Sequence, residues 1–326
     1  MGCEAVLIRM KRYDAIAAGI SHISQNRLRA GLSILGICIG IASVLCMIAI
    51  GEGAKQIITD DIEKLGGSNQ VQFWTRTSIW KNRRLIRRTT ERYTLEDVDS
   101  IESECPDVLF ALPKSDRMRG TITNRDGGHI YFYVEGVTAA YSQGLRWKVQ
   151  TGRFFTENEI DSAAQVCVLG ATAAEELFGK ATALGREVRI KLHWRQTPIR
   201  CRVVGIMTPK GRSLRSYYSL DETVFLPLTT HLQRLSGDHY IYGFTVFFKK
   251  DADVYRVIAY VKEVLRKRHR GKEDFIGYWI PKGTVRRLEH IQQVIQIALG
   301  SIAGFSLFVS GIGIMNICLV SVGERT

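Results

Sequence analysis

Apolar residues fall along this chain in distinct regimes. From Ala30 to Gly51, and again from Ile297 to Val322, they run without a single charge. Each run exceeds the ~20 residues that cross a hydrocarbon layer of roughly 30 Å, so each is expected to be a membrane-spanning helix. Beyond the first run, Ala54, Ile57, Ile58, Ile62 and Leu65 keep helical spacing until Gly66-Gly67. Leu288, Ile291, Val294, Ile295 and Ala298 lead into the second run in the same way. The pattern predicts two helices of roughly 39 residues, about 58 Å each at 1.5 Å per residue, taller than the lipid. Ahead of the first run, Tyr13, Ile16, Ala17, Ile20 and Ile23 make one apolar face. That face suits a helix lying in the membrane interface, or equally one packed on the spans.

Between the runs the pattern changes to short alternating and short helical stretches. Strands are predicted at Gln70 to Trp74, Val108 to Pro113, His129 to Val137, Val166 to Leu169, Glu187 to Lys191, Arg200 to Met207, Val224 to Leu228, Phe244 to Phe248 and Phe275 to Trp279. Helices are predicted at Thr94 to Glu104, with Thr94 and Asp97 at capping-box spacing, and at Ala171 to Phe178, Thr229 to Leu235 and Asp253 to Lys267. The fold class is therefore an α+β extracytoplasmic domain carried on two long transmembrane helices. The expected organisation is an interfacial helix in 1–29, span one in 30–51, a stalk helix in 52–66, a core domain in 67–282, a second stalk in 283–296, span two in 297–323 and a cytoplasmic segment in 324–326.

Charge gives the orientation. Arg9, Lys11, Arg12, Arg27 and Arg29 precede the first span, whereas its other flank mixes Glu52, Asp60, Asp61 and Glu63 with two lysines. The positive-inside bias places the amino terminus in the cytoplasm and residues 52–290 outside. A cleaved signal peptide would need a shorter apolar run close to the chain start, so the first span reads as retained. The 326 residues carry 45 Lys and Arg against 32 Asp and Glu, yet the mean hydropathy is −0.03, because two apolar spans are balanced by a large polar domain. Most of the basic excess then lies outside, which argues against nucleic acid as a partner.

Catalytic chemistry is not legible. The sequence has no phosphate-cradling G-x-x-x-x-G-K-[ST] and no G-x-S-x-G, and the seven histidines lack metal-ligand spacing, so no cofactor or metal is expected in this chain. Cys105, Cys167 and Cys201 permit at most one disulfide in the outer domain. The basic run with Lys81, Arg83, Arg84, Arg87, Arg88 and Arg92 reads as a solvated loop, with contact to anionic lipid, an acidic partner or a substrate as the functional alternative. Gly36 and Gly40, and Gly300 and Gly304, put small residues on one helical face, and Gly311, Gly313 and Asn316 join them as candidates for span packing.

Four stretches carry a family resemblance: NRLRAGLSILGICIGIASVLCMIAIGEGAKQ at Asn26 to Gln56, TGRFFTENEIDSAAQVCVLGATAAEELFG at Thr151 to Gly179, CRVVGIMTPKG at Cys201 to Gly211, and ALGSIAGFSLFVSGIGIMNICLVSVGERT at Ala298 to Thr326. In order and spacing the chain resembles the MacB-type, FtsX-like permeases of ABC transporters. The resemblance implies an inner-membrane permease, with an outer domain of two subdomains, the inserted one near 144–230. It implies a dimer driven by a separate cytoplasmic ABC ATPase that binds ATP and Mg, with Glu324 and Arg325 at the ATPase-facing end. It also implies membrane lipid around the spans and, in some members, a periplasmic adaptor and outer-membrane channel, for export of antibiotics, peptides or lipoproteins. Four spans are usual in that family, so an amino-terminal part or a half-permease is expected. A two-span sensor with an extracytoplasmic ligand-binding domain is the alternative.

Overall fold

The computed structural model describes residues 27–323 apart from 65, 77, 82–83, 88–90, 180, 193–196 and 212–218. It divides into a helical unit and a mixed α/β unit, the latter spanning Ile58–Val285.

Helix α1 covers Arg27–Lys64, and α8 covers Pro281–Gly323. Both are uninterrupted, so each apolar run and the amphipathic stretch expected to continue it form one helix, of 38 and 43 residues. Among the described residues, Ile37–Lys64 is long and apolar enough to cross a membrane by length and composition. The stretch expected as the second span is helical throughout within α8. Helix α1 ends where the sequence expects. The Gly67 amide donates to the Ile62 carbonyl at 3.0 Å and the Gly66 amide to Glu63 at 3.1 Å, with φ of +103° at Gly66 and +96° at Gly67. This double hydrogen bond satisfies carbonyls that a helix end leaves open, and it needs the left-handed backbone that glycine tolerates.

In the α/β unit the first half is an open antiparallel sheet. Strands β1 (Gln70–Thr75), β4 (Val108–Lys114), β12 (Gly243–Phe248) and β13 (Ile276–Trp279) lie in the order β4-β12-β1-β13. Helices α2 (Leu95–Glu104) and α7 (Val254–Arg268) contribute to its core. The expected capping box is formed: Thr94 Oγ1 accepts from the Asp97 amide, and the Asp97 carboxylate accepts from the Thr94 amide. Phe73, Tyr93, Phe244 and Phe275 are fully buried at the centre.

Strands β5 (Met118–Asn124), β6 (His129–Val137), β8 (Val166–Leu169), β9 (Glu187–Leu192), β10 (Ile199–Met207) and β11 (Thr223–Pro227) pair in the cycle β5-β6-β11-β8-β10-β9 and back to β5. Every strand in that cycle has a neighbour on both edges, so the pairing closes into a barrel and leaves no open edge. Its core takes Ile122, Leu169, Ile190, Leu192, Val203 and Leu226, together with Ala173 and Leu177 from α5 (Ala171–Phe178). The barrel includes β5 and β6, which lie ahead of the 144–230 stretch expected as the insert.

A third cluster joins the two halves. Leu112 of β4 and Phe247 of β12 meet Val137 of β6, Phe225 of β11 and Met207 of β10, with Tyr141 from the short helix α3 (Tyr141–Gly144) and Trp147 beside them. Strand β7 (Val149–Gly152) pairs with β10, and α4 (Glu157–Asp161) follows it. The predicted helix at Thr229 to Leu235 is observed as a helical turn, α6 (Leu228–Thr230), which widens into a π-helical turn over His231–Ser236.

The segment expected as a solvated loop is instead partly structured. Strands β2 (Ser78–Lys81) and β3 (Arg84–Arg87) form an antiparallel hairpin with Ile79 opposite Ile86 and Trp80 opposite Leu85. Apolar residues at matching positions on the two strands favour that pairing, and the density of basic residues masks this in the sequence.

Candidate functional site

The last turns of α1, from Ile58 onward, belong to the α/β unit, and there Asp61 and Ile62 are buried. The terminal turn is seated on the cluster that joins barrel and sheet. A Cβ placed on Gly66 would lie 2.8 Å from the Gly144 carbonyl oxygen and 2.9 Å from the Phe247 ring. Phe247 in turn stacks on Phe110, with ring centroids 4.7 Å apart. Any side chain at Gly66 would push the helix end off this seat.

The loop after β10 comes close to the last residue of α1, where a Cβ on Gly211 would lie 3.8 Å from Lys64 Nζ. Asp221 accepts from the backbone amides of Lys210 at 2.8 Å and Gly211 at 2.7 Å. Lys210 Nζ donates to the Leu145 carbonyl at 2.7 Å and lies 5.2 Å from the Trp147 ring centre. Burial, opposed by the Asp221 carboxylate and reinforced by Lys64, pulls the Lys210 ammonium down to about 8. Trp147 Nε1 donates to the Thr208 carbonyl at 2.7 Å. These bonds fix Thr208 to Gly211 against the joining cluster.

A second feature is a cleft of about 1040 Å³ on the barrel, lined by Arg125, Arg153, Arg186, Arg200 and Arg202 among others. Three of these arginines are neutralised locally. Arg153 forms a two-pronged pair with Glu159 at 2.7 Å, Arg186 meets Asp126 at 2.7 Å and Arg125 meets Glu187 at 2.8 Å. The Arg153 guanidinium, against opposing burial, holds the Glu159 carboxyl down to about 2.

The residues singled out from sequence are dispersed. Gly36 and Gly40 lie in α1, where Gly40 is buried. Gly300, Gly304, Gly311, Gly313 and Asn316 lie in α8, and a Cβ at Gly300, Gly304 or Gly311 would meet nothing within 4 Å. The two helices approach each other at Gly51, where an added side chain would collide with Gln292. Glu324, Arg325, Arg83 and Arg88 lie outside the described residues. Lys81 closes β2, and Arg84 and Arg87 bound β3. Arg92 pairs with Asp238 and sits 5.7 Å from the Tyr240 ring centre. Sequence reasoning marked Gly66 as a helix stop and missed its seat, because nothing local identifies Gly144, Phe247 or Asp221 as its partners. Among the described residues no group of three His, Cys, Asp or Glu could hold a metal ion. Cys105, Cys167 and Cys201 are free and buried, and burial pushes the Cys105 thiol up to about 11 and Cys201 up to about 12.

Comparison with known proteins agrees with this architecture. The family model described as "MacB-like periplasmic core domain" matches residues 30–264. The chain is 33% identical over 316 residues to "Macrolide export ATP-binding/permease protein MacB" of Bdellovibrio bacteriovorus, covering 94% of this chain and 46% of that protein. It is 34% identical over 317 residues to the protein of the same name from Azoarcus sp., covering 96% and 45%. The chain thus spans about half the length of the curated relatives it matches. In three dimensions it is similar to the periplasmic region of MacB from Actinobacillus actinomycetemcomitans, with a TM-score of 0.56 at 19% identity over 71% of this chain and 97% of that one. By sequence and by fold, this chain belongs to the family with the MacB-like periplasmic core domain.

Proposed function

We propose that this chain is the permease portion of a MacB-like ABC transporter of the bacterial inner membrane. Its amino terminus is cytoplasmic, α1 and α8 cross the membrane, and the α/β unit stands on the outer side. A partner ATPase binds ATP and Mg and hydrolyses it. The chain has no chemical step of its own and passes the resulting motion through α1 to the outer domain, driving export of a cargo such as an antibiotic, peptide or lipoprotein. The relatives' names, macrolide export proteins, support the cargo class.

Large apolar side chains exposed along both helices, including Ile34, Leu45 and Ile50 on α1 and Ile297, Phe305 and Phe308 on α8, support a lipid environment. The open faces at Gly300, Gly304 and Gly311 leave room for helices of a second copy or of further spans. The observation that carries the reading is the seat of Gly66 on the cluster joining barrel and sheet. In this reading α1, which continues into the α/β unit at Ile58, acts on both halves through that contact.

The test is a Gly-Gly insertion between Lys55 and Gln56 in the complete transporter with its ATPase. A hinge there should leave ATP hydrolysis in place. It should abolish the ATP-dependent change in distance between spin labels placed at Tyr255 in the two copies. An ATP-dependent shift as large as in the uninterrupted protein would overturn transmission through α1.

A further inference from the structure

The outward face of the barrel combines positions that are far apart in sequence. Register sets Arg119 opposite Tyr133 and Thr121 opposite Tyr131 between β5 and β6, then Thr121 opposite Lys191 and Thr123 opposite Arg189 between β5 and β9. Between β9 and β10 it sets Arg189 opposite Arg200 and Glu187 opposite Arg202. The alternate residues Ile122, Val188, Ile190, Cys201 and Val203 fill the core, so these side chains point outward. Four adjacent strands therefore present one basic surface with tyrosines along one border.

This surface is not explained by folding. Like charges directly opposite across strands are destabilising, and Arg189 faces Arg200 in that way. Among the described residues Arg189, Lys191 and Arg202 form no ion pair, and Arg200 reaches Glu187 only at 3.8 Å. In the cleft that Arg200 and Arg202 also line, by contrast, Arg125, Arg153 and Arg186 each have a carboxylate within 2.8 Å. The Arg119 guanidinium lies 4.7 Å from the Tyr133 ring centre and 5.7 Å from that of Tyr131. Tyr131 remains 54% exposed, so much of its ring is open to a ligand.

We propose that the outward face of β6, β5, β9 and β10 binds an acidic glycan. The unpaired cations supply the attraction for carboxylate or phosphate groups. Neighbouring strands repeat these cations about 5 Å apart, the scale of one sugar ring. Thr121 and Thr123 offer hydroxyls to sugar hydroxyls, and Tyr131 offers a flat ring. A folded protein partner fits less well: arginine and tyrosine do occur at such interfaces, but their centres are apolar and poor in lysine, whereas the outward positions at the centre of this face are Thr121, Thr123, Lys191, Arg189, Arg200 and Arg202. Preference for a glycan over a nucleic acid rests on the outward placement proposed above.

The test uses the purified whole chain in detergent, with binding to polygalacturonate measured over a range of salt. Saturable binding is expected for the unmodified chain. The double variant R189Q/R200Q should weaken it at least tenfold, and Tyr131→Ala should weaken it several-fold without any change of charge. The control K250Q/K267Q removes the same charge from the sheet half and should change binding less than twofold. Equal loss in both double variants would reduce the effect to diffuse attraction and overturn the site. So would an absence of binding by the unmodified chain. Binding of single-stranded DNA or anionic vesicles through Arg189 and Arg200, without polygalacturonate binding, would overturn the glycan. Outward placement is read separately, by an alkaline phosphatase fusion after Leu145: silence there refutes the placement, whereas the binding curves alone decide the surface.

Discussion

Around α2 and the end of α7 the charged groups close on one another. Asp97 caps α2, receives Arg268 Nε at 2.5 Å and lies 3.0 Å from His269 Nε2. The other ring nitrogen of His269 faces Glu91 at 3.2 Å, and Lys272 donates to the same Glu91. The barrel half contains a different arrangement. His231 is fully buried where α6 crosses β6, with a Cβ on Gly136 unable to fit beside it, and neither ring nitrogen has a hydrogen-bond partner. Outside the barrel, Arg189 and Lys191 stand without counter-charge. In the sheet half, then, ionic groups tie two helices together, while the barrel keeps polar groups that folding alone would not favour. The barrel's nearby buried pair, Arg117 with Glu135, shows that this half can pair charge where the strands cross.

Apolar truncation in the sheet half should give the largest effect. Phe244 is fully buried, stacked on Phe73 with centroids 5.1 Å apart and edge-on to Tyr93 at 5.1 Å. Phe244→Ala should cost about 4 kcal/mol in a urea melt followed by circular dichroism, within the usual range for losing a core phenylalanine. A loss below ~1 kcal/mol would mean that these aromatic rings are not the centre of that half.

Acid should expose the barrel's weak point next. Burial pulls His231 down to about 4 from its ordinary 6.5. Because the folded value is the lower one, the unfolded chain takes up the proton first. Stability is therefore intact above pH 6.5 and falls as the pH drops toward 4, by up to about 3 kcal/mol. Melts of the native chain and of His231→Leu should converge at neutral pH and separate on acidification. Parallel loss in both would remove His231 as the cause.

The sheet half should respond to acid through carboxylates instead. Burial raises Asp97, but Arg268, the Thr94 amide and His269 outweigh it and hold this carboxyl below its usual range. A lowered carboxylate contributes stability above its unfolded pKa and loses it as pH falls through the folded value, so this loss comes at lower pH than that of His231. Asp97→Asn removes the capping acceptor charge and leaves Arg268 and His269 without it. A cost of about 2 kcal/mol at pH 7 is expected, concentrated in slower-exchanging amides of α2 measured by hydrogen exchange.

How much of this was legible in the sequence depended on how locally each feature is encoded. Thr94 with Asp97, Asp253 before α7 and Gly66-Gly67 after α1 are short signals, and each marks the observed boundary. Strand β12, GFTVFF, is buried throughout and reads as apolar without any partner in view. Strand β5 escaped because its inward positions include Gly120, and its outward ones are Thr121 and Thr123, which blunts the alternation. The hairpin of β2 and β3 escaped beneath its arginines. Barrel closure, the seat of Gly66 and the row of opposed arginines depend on register between distant strands, which no local pattern contains.

The smallest effect gives the sharpest test, because the comparison predicts opposite signs for two arginines on the same barrel. Arg153 is half exposed but bonded through two nitrogens to Glu159, so Arg153→Gln should destabilise by about 0.5 kcal/mol, as exposed pairs do. Arg189 lies opposite Arg200 with no carboxylate in reach, so Arg189→Thr relieves repulsion and places a strand-favouring residue at an exposed position. It should stabilise by about 0.5 kcal/mol, raising the melting temperature of a unit this size by about 1 to 2 °C. Both shifts should shrink in high salt, since exposed charges separated by more than a Debye length of about 8 Å are screened at physiological ionic strength and nearer ones as salt rises. If Arg189→Thr lowers the melting temperature as Arg153→Gln does, the two sets of arginines serve the same structural purpose. The barrel's outward charge would then need no ligand to account for it.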